Sequence, residues 1–400
     1  MIDKQEIKDQ IAKDRIYGCM VGGAVGDALG YAVEFDSWSS IERKFGPKGI
    51  SRFVLGPEGK ALISDDTQMS LYTANGILRG MTRGFLRGIM ARPDHYCQDA
   101  YLNWLDTQDA LPLESNPLPV SWLNHVPNLH ARRSPGNTCL SALTSIARGE
   151  EVSNNSCGCG GVMRTAPIAL IYAQRGFPSN RLQRSDLVAA ETARITHKHP
   201  LSFIPSAILN HILMQIMLGV EGRQPLPEYY VEDALKAIPD VLAEEDGNKP
   251  YKELWPQFLA MQRELIIKAM DLAHTDIPDY EAIEQIGGGW TGHEALAIAI
   301  YSTIKHCDSF EEAIISSVNH SGDSDSTGSI CGNITGCLLG RNAIPEYFTE
   351  NLELLEVIEE MAEDIFTGCV ISRNDKRNTP EKIRWKQKYV YHHWSPDIRE

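Results

Sequence analysis

Two carboxylates and two hydroxyls stand within five residues in the most chemically suggestive segment of this 400-residue chain: Asp323, Asp325, Ser326 and Thr327. Carboxylates held this close repel one another unless positive charge lies between them. A hard divalent cation, which prefers oxygen ligands, supplies that charge most simply. The segment therefore predicts a cation-binding site.

A second acidic segment, Ser64-Asp65-Asp66-Thr67, has the same chemistry far earlier in the chain. Alone, it is more typical of a helix N-terminus than of a metal site. Together the two segments supply four carboxylates, which can hold two Mg²⁺ or Mn²⁺ ions roughly 3.5–4 Å apart. Ligation by oxygen atoms alone disfavours zinc and copper.

Two other interpretations of the 323–327 segment are weaker. An EF-hand loop that began at Asp323 would need a bidentate Glu at its twelfth position, where this chain has Ile334. Helix capping by Ser, Thr or Asp at the start of a helix over 328–340 needs one such residue and not four. Metal ligation by Asp323, Asp325 and a hydroxyl is favoured over both.

Two glycine-containing loops precede predicted helices, at residues 134–138 and 155–164. Backbone N–H groups in such loops can bind phosphate, although a tight turn explains 155–164 equally well. Cys157-Gly-Cys159 and His197-Lys-His199 are too small to predict zinc sites, and a neutral His197 that hydrogen-bonds a ligand is more plausible. Trp290, in a glycine-rich loop, either stacks on a ring or fills the core.

The composition excludes some classes of protein. A net charge of -15 argues against broad binding to nucleic acid or an anionic membrane. The sequence has no run of 18 apolar residues, so we predict no transmembrane helix. The N-terminus is charged and lacks the apolar core of a signal peptide. The nine cysteines, an odd and scattered set, fit a reducing compartment. We therefore expect a cytoplasmic protein.

The elements that must position these groups are predicted to be helices. Glycines at 18, 22, 26 and 30 form a bare ridge along a helix over 7–34, which indicates close approach of either another helix or a ligand. A long loop with five prolines covers 111–137. The remaining predicted helices cover 68–80, 138–149, 163–175, 185–196, 201–219, 231–244, 253–274, 293–306, 310–318, 328–340 and 345–366.

The last 32 residues, 369–400, have a different composition. They carry eight Lys or Arg against four Asp or Glu, and several aromatic residues. We predict one domain over 1–368 and a basic, aromatic C-terminal appendage over 369–400, which either packs on the domain or contacts a partner.

Taken together, the segments resemble the ADP-ribosylglycohydrolase family, the group related to the dinitrogenase-reductase-activating glycohydrolase. The order and spacing of the motifs match over roughly residues 11–368. At Cys159 the chain departs from the family pattern, since many members have Asn there. The motifs are Gly22-Gly-Ala-Val-Gly26-Asp27-Ala-Leu-Gly30 with Glu34, Ser64-Asp65-Asp66-Thr67, Pro135-Gly136-Asn137-Thr138, Gly158-Cys-Gly160-Gly-Val-Met163-Arg164, Thr196-His197, Glu294-Ala295-Leu296 and Gly322-Asp323-Ser-Asp325-Ser326-Thr327.

The resemblance implies a compact, orthogonal all-α fold around a central site for two divalent cations, Mg²⁺ or Mn²⁺. It implies that Glu34 touches one cation or swings away, and that His197 makes a polar contact with the nucleotide. Trp290 is a further candidate substrate contact. The implied metal ligands are Ser64, Asp65, Asp66, Asp323, Asp325 and Ser326, with Asp325 as the candidate bridge between the ions. The implied loops around the distal ADP-ribose are Gly136, Asn137 and Thr138, and Gly158, Cys159, Gly160 and Gly161.

The implied activity is hydrolysis of the C1″ glycosidic bond between ADP-ribose and a modified acceptor, with arginine slightly favoured as the acceptor. The candidate general bases are Asp65, Asp66 and Glu34. The expected partner is an ADP-ribosylated protein or a related ADP-ribosyl substrate. Two alternatives stay open, a binding or immunity protein that neutralises an ADP-ribosyltransferase and a generic binuclear-metal phosphohydrolase.

Overall fold

The computed structural model describes residues 4–56, 58–89, 91–112, 115, 118–174, 180–219, 226–243, 255–374 and 377–393. Within these ranges the chain forms sixteen α-helices, and two isolated bridges are the only strand-like pairing. The prediction of an all-α fold is confirmed. The helices are α1 Lys4–Tyr31, α2 Trp38–Phe45, α3 Asp65–Arg87, α4 Pro93–Thr107, α5 Asn137–Ala147, α6 Ala166–Tyr172, α7 Arg181–Arg194, α8 Pro200–Leu218, α9 Pro227–Ala243, α10 Trp255–Ala273, α11 Asp279–Ile286, α12 Gly292–Lys305, α13 Phe310–Val318, α14 Ser324–Leu339, α15 Leu355–Thr367 and α16 Pro380–Tyr389.

The glycine ridge of α1 packs directly on α14. A Cβ atom added at Gly26 would lie 1.9 Å from the carbonyl oxygen of Gly328, and one at Gly22 would lie 2.5 Å from that of Gly332. Because these contacts are backbone to backbone, no side chain can move aside to make room. The ridge therefore serves helix packing, which settles the choice between a helix and a ligand, and it brings the N-terminal end of α14 beside the end of α1.

Helix α8 lies in the middle of the core. It is the described helix that is long and apolar enough to span a membrane, with 19 residues and a mean hydropathy of 1.6, but 83% of that stretch is buried inside the protein. A buried core helix meets the same criteria of length and composition, so this is weak evidence for a membrane.

The C-terminal helix α16 packs on the body. Trp385 is buried, and its indole N–H donates to Thr82 Oγ1 of α3 at 2.9 Å. Lys388 is buried as well and pairs with Glu360 and Asp364 of α15. Residues 394–400, the end of the predicted appendage, lie outside the described residues, and the division at residue 368 stays a prediction.

The predicted helix over 345–366 is wrong in its first half. Residues 346–348 form a single 3-10 turn, and α15 begins only at Leu355. The backbone between them is diverted to another partner, since Ala61 N–H donates to Asn351 O and Glu353 N–H donates to Ala61 O. Leu354 has a left-handed φ of 57°, which ends any continuous helix.

Several helix boundaries also differ. Helices α3 and α14 begin at Asp65 and Ser324, earlier than the predicted 68 and 328, so the acidic segments are themselves the first turns. Helices α2, α4, α11 and α16 were not predicted. For α4 the signal was present, because Cys97, Ala100, Tyr101, Trp104 and Leu105 have the spacing of one buried helix face.

Candidate active site

Residues from three distant segments meet around one open pocket of about 530 Å³. Glu34 comes from the turn after α1, Asp65 and Asp66 from the first turn of α3, and Asp323 and Asp325 from the start of α14. The pocket therefore carries five carboxylates, and they come together only because α1, α3 and α14 meet at their ends.

The first turn of α3 is held by Ser64 and by a buried aspartate of α1. Ser64 is the N-cap, and its hydroxyl accepts from Asp66 N–H at 3.2 Å. Asp27 accepts from Ser64 N–H at 2.9 Å, from Thr67 N–H at 3.1 Å and from the Thr67 hydroxyl. Asp27 is completely buried, so it acts as a brace that orients Asp65 and Asp66.

The first turn of α14 has a similar arrangement. Asp323 is the N-cap, and one amide, Ser326 N–H, lies 3.3 Å from Asp323 Oδ1 and 2.9 Å from Asp325 Oδ1. The Ser326 hydroxyl lies 3.3 Å from Asp66 Oδ1, and Cys159 Sγ lies 2.8 Å from Asp323 Oδ2. Ser64 and Asp323 thus cap their helices. The residues of the two acidic segments that line the pocket are Asp65, Asp66, Asp323, Asp325 and Ser326.

Burial and mutual repulsion disfavour the charged form of these acids. Burial, then the charge of Asp323, raises the pKa of Glu34 to about 7. Burial raises the pKa of Asp27 to about 6, although four hydrogen bonds oppose the shift. The pKa values of Asp65, Asp66 and Asp325 are raised well above the usual range by burial and by neighbouring carboxylates or carboxyls. Positive charge placed among them would relieve this repulsion.

The available donor atoms are carboxylate and hydroxyl oxygens, the ligand type that hard divalent cations prefer. Asp66 Oδ2 and Glu34 Oε2 are buried, and neither has a hydrogen-bond partner among the described residues. In that part of the chain, however, no three Asp, Glu, His or Cys side chains already converge in ligating geometry. A complete coordination shell therefore needs the serine hydroxyls, water or substrate oxygens, or small movements of the side chains.

The two glycine-containing loops also line the pocket, directly beside the carboxylates. Gly136 caps α5, so its neighbours present the free N–H groups of a helix N-terminus, and Gly136 N–H itself donates to Asp65 Oδ2 at 3.3 Å. The loop at 158–161 is held against the 287–292 loop by Cys159 N–H, which donates to Trp290 O, and by Gly292 N–H, which donates to Cys157 O.

His197 lies beneath the 158–160 loop in a fixed orientation. A Cβ at Gly160 would approach its ring to 2.9 Å, so glycine is needed there. Arg164 donates to Thr196 Oγ1 at 2.6 Å, and that hydroxyl lies 2.8 Å from His197 Nδ1. Burial, then the charge of Arg164, lowers the pKa of His197 to about 3. The ring is therefore neutral and can serve as a hydrogen-bonding group.

The structure places fourteen of the sixteen predicted site residues on the pocket wall. Ser64 and Gly161 do not line it: Ser64 is buried as a helix cap, and a Cβ at Gly161 would meet Ser202 of α8. The pocket residues that the sequence did not single out as site residues are Phe35, Arg132, Ser134, Pro135, Cys139 and Met163. Ser134, Pro135 and Met163 lie within motifs already recognised, whereas Phe35 and Arg132 had no signal of their own.

Comparison with known proteins gives the family. The model of the ADP-ribosylglycohydrolase family matches residues 8–374. The chain belongs to this family. One curated relative is the ADP-ribosyl-[dinitrogen reductase] glycohydrolase of Rhodospirillum rubrum. It is 26% identical to this chain over 349 residues, and the alignment covers 85% of this chain and 91% of the relative. The ADP-ribosylhydrolase ARH1 of Dictyostelium discoideum is 25% identical over 408 residues, which cover 90% and 96%.

A solved structure, described as an ADP-ribosylglycohydrolase-related protein complex, shares the fold. It matches with a TM-score of 0.58 and 22% identity and covers 90% of this chain and 99% of that chain. The family and its named relatives place this protein among enzymes that hydrolyse glycosyl bonds.

Proposed function

We propose that this protein is a divalent-cation-dependent hydrolase that removes ADP-ribose from a modified protein side chain, with arginine favoured over serine. The observation that carries the proposal is the convergence of five carboxylates from three segments on one pocket, which two loops suited to phosphate also line. A site of this kind needs a substrate that is anionic at one end and bears a sugar at the other.

Charge balance supports the dependence on cations. A diphosphate entering the pocket meets five carboxylates and one basic side chain among the described lining residues, Arg132, with His197 neutral. Such a pocket repels an anion unless cations are bound. When bound, two Mg²⁺ or Mn²⁺ ions would bring positive charge to the ribose hydroxyls and acidify a water molecule. Asp65, Asp66, Asp323, Asp325 and Ser326 would hold them.

The residues of the chain divide the remaining work. The 136–138 and 158–160 loops bind the diphosphate, and His197 donates or accepts a hydrogen bond at the nucleotide. Glu34 is our favoured general base over Asp65 and Asp66, because it is the least buried of the three and its pKa lies near 7. Glu34 takes a proton from water as the water oxygen bonds to C1″; the bond from C1″ to the acceptor atom breaks, and the same proton passes from Glu34 to the departing acceptor atom.

The acidity of the pocket favours a cationic acceptor, which is why arginine is preferred. Labelled arginine-linked and serine-linked ADP-ribose should both be tested, with and without a chelator, and the products identified. We expect free ADP-ribose, faster from arginine, and loss of at least a hundredfold in activity in Asp323→Ala/Asp325→Ala. Asp271→Ala/Asp308→Ala, which removes two exposed acids outside the pocket, is the matched control.

The outcomes separate the alternatives. Release of AMP or inorganic phosphate would identify a phosphohydrolase. An Asp323→Ala/Asp325→Ala protein that keeps full ADP-ribose release would refute the metal mechanism. Retention of a bound ADP-ribosyltransferase by a catalytically silent wild-type protein would instead support a binding or immunity role.

A further inference from the structure

Two aromatic rings stack on each other at the mouth of the pocket. The rings of Phe35 and Trp290 have centroids 5.3 Å apart and planes inclined by 22°. Phe35 is 68% exposed and Trp290 43% exposed, and both line the pocket. Because exposed apolar rings gain little from folding, a stacked pair left in water at a pocket mouth is a candidate contact surface.

The backbone holds Phe35 in an unfavourable conformation. Its φ of 68° lies in the left-handed region, which bulky residues rarely occupy. The turn is closed by Glu34 N–H, which donates to Gly30 O, and by Asp36 N–H, which donates to Val33 O. A few residues later, Trp38 stacks on Tyr280 with centroids 4.8 Å apart and anchors the segment to α11. Such strain is typical of functional positions.

The position of the pair relates it to one end of the substrate. Phe35 directly follows Glu34, the proposed general base, and the loop of Trp290 contacts the start of α14, since a Cβ at Gly289 would lie 3.3 Å from Asp323 O. The rings therefore lie beside the carboxylates, where C1″ reacts. In the proposed function the group attached to C1″ is the acceptor, so a ring beside Glu34 is in reach of it; the carbonyl of Trp290 also accepts from Cys159 N–H, so the pair borders the loop at 158–160 as well.

We propose that Phe35 and Trp290 form the acceptor-binding platform of this enzyme, on which the planar guanidinium of an ADP-ribosylated arginine stacks. This inference rests on the proposed function and adds the residues that recognise the arginine acceptor. A guanidinium is a weakly hydrated planar cation that stacks well on aromatic faces. The neighbouring carboxylate of Glu34 adds charge complementarity that a serine-linked acceptor cannot use.

The test compares two substrates and one ligand across four variants. In Trp290→Ala and Phe35→Ala, kcat/KM for arginine-linked ADP-ribose should fall roughly 3- to 30-fold, the range expected for a lost cation–π contact. For serine-linked ADP-ribose it should change by less than about twofold, within the scatter of a neutral surface substitution. The affinity for free ADP-ribose, measured by calorimetry, should not change. Trp290→Phe should retain most of the arginine preference.

Tyr391→Ala is the matched control, because Tyr391 is also 68% exposed but does not line the pocket. Equal losses on both substrates, or weaker binding of free ADP-ribose in Trp290→Ala, would overturn the inference, the latter by showing that the rings hold the nucleotide. An unchanged arginine reaction would overturn it as well. A wild-type protein inactive on both substrates would refute the proposed function itself.

Discussion

Replacing Asp323 and Asp325 together by Asn is expected to stabilise the cation-free protein and to abolish its stabilisation by divalent cations. The exchange keeps the shape of both side chains, and Asn at position 323 still caps α14 because it is as good an N-cap as Asp. The variant therefore removes charge with little other change.

The size of the effect follows from the geometry at Ser326. Its amide nitrogen lies within 3.3 Å of Asp323 Oδ1 and 2.9 Å of Asp325 Oδ1. The two oxygens are thus at most roughly 6 Å apart, where two unit charges repel by about 3 kcal/mol at an effective dielectric constant of about 20. Partial protonation already relieves some of this repulsion, since the pKa of each acid is raised. We expect a gain of about 1–3 kcal/mol.

The assay is urea unfolding in chelator and then in excess Mg²⁺ or Mn²⁺. Wild type should gain about 2.7 kcal/mol at a cation concentration of 100 times Kd, whereas the variant should gain almost nothing. NaCl at matched ionic strength controls for simple screening, and Asp271→Asn/Asp308→Asn controls for net charge. A wild type that does not respond to cations beyond NaCl, or a variant that responds equally, would refute the reasoning.

Three further predictions concern the scaffold. In a urea titration, Gly26→Ala should destabilise the protein by about 2 kcal/mol or more. The new Cβ would strike the backbone of Gly328, and this overpacking outweighs the gain of about 1 kcal/mol in helix propensity. Gly23→Ala is the control: its Cβ would meet the side-chain amide of Asn333, which can move, so it should cost less stability. Trp385→Ala should cost about 3–5 kcal/mol in thermal unfolding, because it empties a buried site, and an unchanged melting temperature would contradict the packing of α16.

The third concerns pH. With the pKa of Asp27 raised by burial to about 6, the folded state binds a proton more tightly than the unfolded state, whose pKa is about 3.9. The free energy of unfolding should therefore rise as pH falls from 7 to 4, by up to about 3 kcal/mol from this group. Asp27→Asn should flatten that slope in cation-free buffer, and identical slopes would show that Asp27 is not the source.

The local chemistry of the site could be predicted because it is carried by short segments. Two acidic runs, two glycine-containing loops and Thr196-His197 are recognisable wherever they lie, and fourteen of the sixteen residues chosen from them line the pocket. The glycine ridge of α1 was recognised too, but the sequence left open whether a helix or a ligand packs on it, since glycine records only that something comes close.

What lay beyond prediction depends on partners distant in sequence. The helix predicted over 345–366 is interrupted because the backbone of Asn351 and Glu353 hydrogen-bonds to Ala61. No local sequence pattern indicates those hydrogen bonds. Ser64 stays a predicted metal ligand, and only the fold shows that its hydroxyl also caps α3. Phe35 belongs to no recognised motif, and its position at the pocket becomes visible only in the fold, where its ring stacks on Trp290.

Residue types and their spacing are enough to indicate the helical class, the acidic and glycine-rich motifs and, through the order of those motifs, the family. Those properties depend on the residue types and the spacing within single short segments. Four features appear only once the helices are packed: which acids share a pocket, which hydroxyls cap helices, how Asp27 braces α3 and where two exposed rings meet. Charge repulsion, burial and stacking act over a few ångströms in space, and only the packing of α1, α3 and α14 sets those distances.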